Sequence, residues 1–461
     1  MATIKRITAL WVAGVLAVGS QQACAAGFML FEYSVSGLGN ALAGGAASAE
    51  DASTIYANPA GMTRLGNSQF LGGAHVILPS TKFKDSNSQT AGGASLEGGD
   101  GGDGGVNAVV PNLFYSHAID DRWTAGLGIT VPFGLSTDYD DGWQGRYHAL
   151  ESDLRTVNIN PSVAFQVTPR WSVGLGVSAL HGDLKEFSNA IDNFGVCGGL
   201  LQQGVSGVTS GTCGALGGPA NATVDSRVKL EGDDWGYGFN VGVLFQPDSR
   251  TRIGLSYRSK VELELDGSAD YRLPDAAAAA SFRNAVNALP TVLSDSGASA
   301  DLTLPEIVSI SSFQQLSDRW SLMGDITWTR WSRFDSLVVE FDNGAPNLVI
   351  EEDWDNSFRV ALGMTYTPSP TWTWRFGVAY DQAAAKRNDR VSPRIPDEDR
   401  TWVTAGFSFA ATPSINLDVG YAHLFMPDRK IRLTNATTGH VLEGEFESEV
   451  DILSAQLNWT F

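Results

Sequence analysis

The chain has little charge and few cysteines. Charged residues make up 18% of its 461 residues, against roughly 25% in an average soluble protein, and only three cysteines are present. It also lacks a run of about 20 apolar residues, which excludes a helical membrane bundle. Bases are scarce, with 31 Lys and Arg against 51 Asp and Glu. The formal net charge of −20 argues against a nucleic-acid partner, because this much acid repels a polyanion.

Catalytic and metal-binding patterns are also missing from the sequence. The six histidines are scattered, and neither His-Glu-x-x-His nor Gly-x-Ser-x-Gly occurs. The Gly/Asp-rich run at 97–105 resembles a fragment of a calcium-binding repeat, but a single copy cannot stack into a coil, so it predicts a flexible loop. We therefore expect no catalytic residues, no metal and no cofactor, and weak calcium binding by loop carboxylates stays open.

What the chain does have begins with an export signal over residues 1–25. Lys5 and Arg6 precede a short apolar stretch, and Ala23-Cys24-Ala25 forms a cleavage site. The apolar stretch is too short to act as a membrane-spanning anchor. A lipoprotein interpretation of Cys24 is disfavoured, because Gln21 stands where a leucine would be expected. The protein is therefore predicted to be exported.

Cleavage after Ala25 leaves two cysteines, Cys197 and Cys213, in one Gly-rich stretch. Disulfides persist in exported proteins, and no Cys-x-x-Cys pattern competes for these two residues. We predict one disulfide that closes a loop, with two free thiols as the alternative.

From about residue 67 the dominant period of the sequence is two. Apolar residues alternate with small or polar ones over about ten positions, which is typical of β-strands. One such stretch places Trp372, Trp374, Phe376, Val378 and Tyr380 on one face. A soluble β-sandwich also alternates in this way, so the period alone does not decide the fold.

The spacing of turns and loops decides between these folds. Six tight turns are predicted near 120–121, 168–169, 247–248, 317–318, 369–370 and 412–413, and four of them are soon followed by tryptophan. The other connections are long, near 80–107, 136–153, 186–226, 273–300, 343–353, 382–399 and 434–446. Short turns at one end, long loops at the other and aromatic residues at the interface are typical of an outer-membrane barrel.

Seven long loops and six tight turns require fourteen strands. We place them near 69–79, 109–119, 123–133, 155–167, 171–181, 228–245, 251–272, 301–314, 320–341, 354–367, 372–381, 401–410, 415–425 and 449–461. The predicted fold is all-β, a 14-stranded antiparallel transmembrane β-barrel over 67–461 in the outer membrane of a Gram-negative bacterium. Residues 26–66 are predicted to form a hatch of short helices and turns inside it, and Asp275–Leu289 a short helix in a loop.

Several segments resemble the FadL family of long-chain fatty acid and hydrocarbon channels. They begin with Gly27-Phe28 and the run from Ser36 to Asn58-Pro59-Ala60. The resemblance resumes at 132–135, 235–240 and 395–400 and covers most of the chain after residue 25. It implies a fourteen-strand barrel closed by an N-terminal hatch, with a lateral gap at a kinked third strand.

The resemblance also implies site residues. Asn58, Pro59 and Ala60 match the hatch motif near the gap, and Pro132, Phe133 and Gly134 fall at the kink of strand 3. The residues themselves support the kink, because proline cannot donate to a sheet ladder. The alternatives are an ordinary turn at 58–60 and a plain strand end at 132–134.

Fatty-acid channels of this family place a basic residue near the pocket, around the end of strand 5. Here Lys185 is the candidate contact for a ligand head group. Glu186 beside it would oppose a fatty acid anion, which keeps neutral aromatic or alkane hydrocarbons open as cargo.

The resulting hypothesis is a passive outer-membrane channel for hydrophobic compounds, long-chain fatty acids first. Cargo would pass through a groove between loops 186–226 and 273–300, an interior pocket and a lateral opening at strand 3. Hydrocarbon uptake, a structural or adhesion barrel and, last, a barrel enzyme are the alternatives. The expected partners are the cargo, outer-membrane lipid and lipopolysaccharide, and the barrel assembly machinery, which would read the C-terminal Phe461. We expect a monomer.

Overall fold

The computed structural model describes residues 27–461, and the predicted signal peptide lies outside them. Its strands are β1 Gln69–Asp85, β2 Ala108–Ala118, β3 Trp123–Thr130, β4 Gly134–Asp138, β5 Glu151–Thr168, β6 Trp171–Ile191, β7 Ser226–Asp248, β8 Thr251–Arg258, β9 Val261–Arg272, β10 Ser296–Leu304, β11 Ile307–Gln315, β12 Trp320–Thr329, β13 Ser336–Phe341, β14 Leu348–Glu351, β15 Ser357–Ser369, β16 Trp372–Asp381, β17 Arg400–Thr412, β18 Ile415–Phe425, β19 Arg429–Thr434 and β20 Val441–Thr460. The α-helices are α1 Val35–Leu38, α2 Gly45–Ser48, α3 Thr54–Ala57, α4 Asn193–Gln202, α5 Ser210–Gly214 and α6 Ala280–Val286, and 3₁₀ turns cover Pro59–Arg64, Ala277–Ala279 and Trp331–Arg333.

These strands form a closed antiparallel barrel of fourteen wall strands, which confirms the predicted fold. The last strand pairs with the first from Gln69 opposite Thr460 to Asp85 opposite Gly444. Closure leaves no edge whose unpaired backbone groups would face lipid. None of the helices within residues 27–461 is long and apolar enough to cross a membrane.

Five wall strands consist of two segments each, where the sequence predicts single strands or a strand and a loop. They are the third (β3 and β4), seventh (β8 and β9), eighth (β10 and β11), ninth (β12 and β13) and thirteenth (β18 and β19). Strand β14 pairs with β13 beyond the wall. The expected helix at 275–289 is shorter than predicted, a 3₁₀ turn followed by α6.

The alternation of residue types separates a lipid face from a lumen face. On β16, Trp374, Phe376 and Val378 are 41%, 46% and 50% exposed on the outside, whereas the intervening Arg375 is 7% exposed. Apolar side chains therefore face the membrane and small or polar ones face the lumen.

The short-turn rim is fastened by aromatic pairs between neighbouring strands. Each of the four turn-following tryptophans lies opposite an aromatic residue of the next wall strand, in the pairs Trp123–Phe165, Trp171–Phe245, Trp320–Tyr366 and Trp372–Phe409. Such cross-strand pairs stabilise a sheet by about 0.2–1 kcal/mol each. Backbone hydrogen bonds also tie neighbouring turns together, as from Gln166 N–H to the Arg122 carbonyl.

The N-terminal segment, residues 27–66, lies inside the barrel. Arg252 of β8 donates to the carbonyls of Ala47 and Ser48, at 2.9 and 2.7 Å. The backbone of the N-terminal segment comes close to the wall where the wall has glycine. A Cβ atom on Gly254 would overlap the Ala46 carbonyl. Lumen-facing glycine therefore makes room for the segment, which helps to explain the high glycine content of the strands.

Candidate functional site

The third wall strand is broken at residues 131–133, between β3 and β4. Pro132 has no N–H to give to a ladder, and Phe133 N–H donates instead to Thr156 Oγ1 of β5 at 3.0 Å. The Thr156 hydroxyl donates back to the Phe133 carbonyl at 2.6 Å. The broken segment is thus fixed to the fourth wall strand and not to the second.

On its other side the break leaves an interruption in the wall. Strand β2 pairs with β3 only between Leu113–Ile129 and Ala118–Thr124, and β4 pairs with β5. Within residues 27–461, positions 108–112 of β2 therefore have no ladder partner on that edge. A single bridge between Gly105 and Thr137 lies beyond them.

The first described residues, 27–30, lie against this break, and we call them the N-terminal arm. Leu30 N–H donates to the Pro132 carbonyl at 2.9 Å, and Gly134 N–H donates to the Phe28 carbonyl at 3.0 Å. Met29 and Phe133 form the bridge between these two bonds. The arm therefore takes the place of a neighbouring strand at the break.

Phe28 of the arm fills an aromatic cage. Its ring centroid is 5.9 Å from that of Phe133, 5.0 Å from Trp331, 5.7 Å from Phe334 and 6.1 Å from Trp354. All five side chains are buried. Displacing Phe28 would leave an apolar space of aromatic size beside the break.

Asp397 in the loop before β17 fastens the start of the arm. Its carboxylate accepts hydrogen bonds from Gly27 N–H at 3.1 Å and from the N–H groups of Ala384 and Ala385 at 2.6 and 3.2 Å. Arg400 donates to the Gly27 carbonyl at 3.0 Å. Burial raises the pKa of Asp397 to about 6, so its protonation state changes near mildly acidic pH.

A cavity lies in the lumen between the N-terminal segment and wall strands 6 to 10. Its lining is partly aromatic and carries two cations, with Phe31, Tyr33 and Tyr56 beside Arg258 and Arg359. Asp325 also lines it and accepts a hydrogen bond from Thr327 at 2.8 Å.

The two arginines are held without ion pairs. Arg258 donates to the Tyr56 carbonyl at 2.9 Å and to Ser178 Oγ at 3.3 Å, and its guanidinium lies 4.1 Å from the Tyr56 ring centroid. Arg359 donates to the Ala41 carbonyl at 2.8 Å. Neither forms an ion pair with a carboxylate of the part of the chain that the structure describes. The carboxylates of Asp325 and Asp381 interact electrostatically with Arg359, so the positive charge that remains available to a ligand is that of Arg258.

The predicted site residues are distributed around these features. Asn58 is fully buried and donates to the carbonyls of Ala46 and Val243 at 2.7 and 3.1 Å, so it links the N-terminal segment to the sixth wall strand. Pro59 begins the following 3₁₀ turn, which includes Ala60. The gate role of these residues stays a prediction, and the arm rather than this motif contacts the break.

Lys185 does not line the cavity. It lies in a register shift of β6 between Leu184 and Phe187, is exposed, and pairs with Asp183 at 3.3 Å. The cavity cations Arg258 and Arg359 were missed, although alternation offered a signal: Ile253, Leu255 and Tyr257 face outward, which turns position 258 inward.

Cys197 and Cys213 are joined by a disulfide that links α4 to α5. These two helices and α6 share one apolar cluster that includes Leu200, Leu216 and Phe282. The apolar side of α6 thus packs on the other loop. Within residues 27–461 no group of three or more His, Cys, Asp or Glu side chains is placed to hold a metal ion.

Comparison with known proteins agrees with this architecture. The model of the family described as outer membrane protein transport protein (OMPP1/FadL/TodX) matches residues 16–461. The long-chain fatty acid transport protein of Escherichia coli O6:H1 is 32% identical, over 97% of this chain and 97% of that protein.

Solved structures share the fold. A Pseudomonas aeruginosa FadL homologue, 26% identical, superimposes with a TM-score of 0.85 over 95% of this chain and 100% of that one. The Pseudomonas putida toluene transporter TodX, 17% identical, gives a TM-score of 0.67 over 96% and 100%.

Proposed function

Because the chain belongs to the outer membrane protein transport protein family (OMPP1/FadL/TodX), and so is an outer-membrane transport protein and not an enzyme, we propose that it admits long-chain fatty acids by passive diffusion. The driving force is the transfer of apolar chain out of water, about 0.8 kcal/mol per buried CH₂. No chemical energy source is required.

The choice of a fatty acid as cargo rests on one observation: Arg258 lines the cavity and has no carboxylate partner within residues 27–461. A guanidinium that lines a partly aromatic cavity in the lumen without a carboxylate partner is an unneutralised charge. Such a charge is costly to keep away from water unless an anion joins it. A fatty acid supplies both parts, with a carboxylate for Arg258 and an alkyl chain for the aromatic lining.

Entry is proposed through the loops that carry α4, α5 and α6. Their shared apolar cluster is formed by residues of the loops between β6 and β7 and between β9 and β10, and its partly buried members include Phe194, Leu201 and Leu289. These side chains offer an alkyl chain a first apolar contact before it reaches the lumen.

Exit is proposed at the broken third wall strand. The interruption beside β2 removes the ladder that would otherwise seal the wall. The arm is the stopper, because its hydrogen bonds and the Phe28 ring occupy the space that cargo would need. In this mechanism Pro132, Phe133 and Gly134 form the frame of the opening, and residues 26–66 act as the hatch.

The test is uptake of labelled oleate and labelled toluene by cells that lack their own transporter and express this chain. Arg258→Met removes the charge and keeps an unbranched apolar side chain. We expect the oleate concentration for half-maximal uptake to rise about tenfold, because a charge-assisted contact is lost, while toluene uptake stays unchanged.

Two further variants serve as controls. Arg258→Lys keeps the charge and should keep most oleate uptake, and Lys185→Met should leave uptake of both compounds unchanged. Equal loss of oleate and toluene uptake in Arg258→Met would indicate a damaged channel and contradict the assignment. Toluene uptake by the wild type without oleate uptake would favour the hydrocarbon alternative.

A further inference from the structure

Two arginines at the break in the ninth wall strand, between β12 and β13, have no part in the proposed transport route. We propose that Arg330 and Arg333 bind the phosphate groups of lipid A, the phosphorylated glycolipid that forms the outer leaflet of the outer membrane. This inference depends on the barrel fold and its location, and not on which cargo the channel carries.

The depth of these arginines in the membrane follows from a row of residues next to them, on the side of the membrane centre. Tyr257, Val308, Trp328 and Phe358 lie side by side on four neighbouring wall strands. Aromatic residues in such rows mark the membrane interface of outer-membrane barrels. Arg330 follows Trp328 by two residues, so it lies about 7 Å further along the tilted strand, on the side away from the membrane centre. Aromatic belts lie at the level of the lipid head groups, so the arginines lie at the outer side of that level.

The local backbone keeps both arginines on the outside. Between β12 and β13 the chain forms a 3₁₀ turn at Trp331–Arg333. Trp331 is 1% exposed and packs on Phe28 in the lumen. Residues three apart in such a turn lie on the same side. The side chains of Arg330 and Arg333 stay 43% and 35% exposed.

One carboxylate on the eighth wall strand holds the two guanidiniums together. Glu306, between β10 and β11, accepts from Arg330 Nη1 at 2.9 Å, from Arg333 Nε at 3.0 Å and from Arg333 Nη2 at 3.0 Å. Each guanidinium carries five N–H donors. Within residues 27–461 the side chains of this pair use three of their ten donors, all to Glu306, so most donors remain available on two guanidiniums that are already held in place.

The arrangement of charge fits a phosphate at this depth. Two arginines share one carboxylate, which leaves one positive charge, and the neighbouring Lys260 and Glu262 pair with each other. The acidic residues Glu264 and Asp266 lie further along β9, on the water side. Paired N–H groups of arginine match phosphate oxygens in a two-pronged geometry.

The experiment measures binding of bisphosphorylated lipid A to the purified full chain by native mass spectrometry. The variant R330Q/R333Q is compared with the wild type and with R250Q. Arg250 is a matched control, because it is an exposed arginine paired with Asp318 at 3.3 Å on the opposite rim. We expect about tenfold weaker lipid A binding in R330Q/R333Q and no change in R250Q.

Removing both arginines leaves the Glu306 carboxylate without a partner. The variant E306Q/R330Q/R333Q also removes that charge, and so serves to keep the cluster neutral and the chain folded. It should bind lipid A as weakly as R330Q/R333Q, and R330K/R333K should fall between it and the wild type. Equal lipid A binding by the wild type and both Gln variants would overturn the proposal. So would wild-type binding of dephosphorylated lipid A or phosphatidylglycerol as tight as that of lipid A.

Discussion

Two of the five divided wall strands turn an aromatic side chain onto the same residue, Phe28. The third wall strand breaks at 131–133 and turns Phe133 onto Phe28, and the ninth breaks at 330–335 and turns Trp331 onto the same ring. The two inward rings lie 6.1 Å apart. The N-terminal arm is therefore held between two departures from regular strand structure.

The breaks differ in how their edges are tied. At the ninth strand, Arg330 N–H donates to the Glu306 carbonyl at 3.0 Å on one side, and Ser332 N–H donates to Asn356 Oδ1 at 3.2 Å on the other. At the third strand one edge is tied to Thr156 of the wall, and the other carries the arm. The proposed route needs this difference, because a break tied on both sides stays closed, whereas a break covered by a separate segment would open if that segment moved.

The largest expected effect comes from making that segment inseparable. Met29 and Phe133 form an antiparallel bridge, and the Cα separation of such pairs permits a disulfide. We expect oxidised M29C/F133C to lose oleate uptake to background and to regain it on reduction. Wild type with and without reductant and the two single variants are the controls. Normal uptake by the oxidised double variant would show that the arm is not the stopper.

Trp331→Ala tests the ninth-strand break as a structural element. The side chain is 1% exposed and contacts Phe28 and Trp354. Its loss should lower the free energy of unfolding by about 3–5 kcal/mol, measured by denaturant unfolding in detergent. Trp374→Ala, at an outward position that is 41% exposed, should cost clearly less. Equal losses in the free energy of unfolding for the two variants would mean that the inward packing of Trp331 does not stabilise the barrel.

Glu306→Gln weakens the tie between the eighth and ninth wall strands. The arginines it holds are partly exposed, so solvent screening limits the expected loss to about 1 kcal/mol in the free energy of unfolding. Asp318→Asn breaks an ion pair whose side chains are 54% and 92% exposed and should change the same quantity by less than about 0.5 kcal/mol. A larger loss in the free energy of unfolding for Asp318→Asn than for Glu306→Gln would contradict the assignment of Glu306 as a tie between the two strands.

The smallest effect concerns pH at the fastening of the arm. Burial raises the pKa of Asp397 to about 6, above the usual value of 3.8. The folded chain thus holds this proton more tightly than the unfolded chain, and the contribution to stability falls as pH rises from about 4 to about 6. Asp397→Asn should remove that part of the slope of Tm against pH. An unchanged slope would show that Asp397 does not titrate there.

The fold was readable from sequence because alternation and turn spacing act over the whole chain. The break at 131–133 was also predictable, since Pro132 lacks a donor. Pro305 carries the same signal inside the predicted strand 301–314, and it marks the junction between β10 and β11.

Other features had no usable sequence signal. The position of Lys185 along strand 5 predicts a contact with the ligand head group, but Lys185 lies in a register shift of β6, is exposed and does not line the cavity. A bulge depends on how two strands pair and not on the residues of one. The cage around Phe28 unites residues from three segments, at 133, 331–334 and 354, and a single sequence does not show which of these segments meet.

The rim of short turns acts mechanically as a hoop. Neighbouring turns are joined by backbone bonds around the barrel, from Gln166–Arg122 on to Thr460–Ser414 and Phe461–Ser68. A hoop of this kind cannot widen unless several bonds break together, whereas the breaks at 131–133 and 330–335 lie above it. We therefore expect the barrel to keep its diameter at the short-turn rim during transport. Any passage for a bulky molecule would then form through the wall and not through the end of the barrel that carries the short turns.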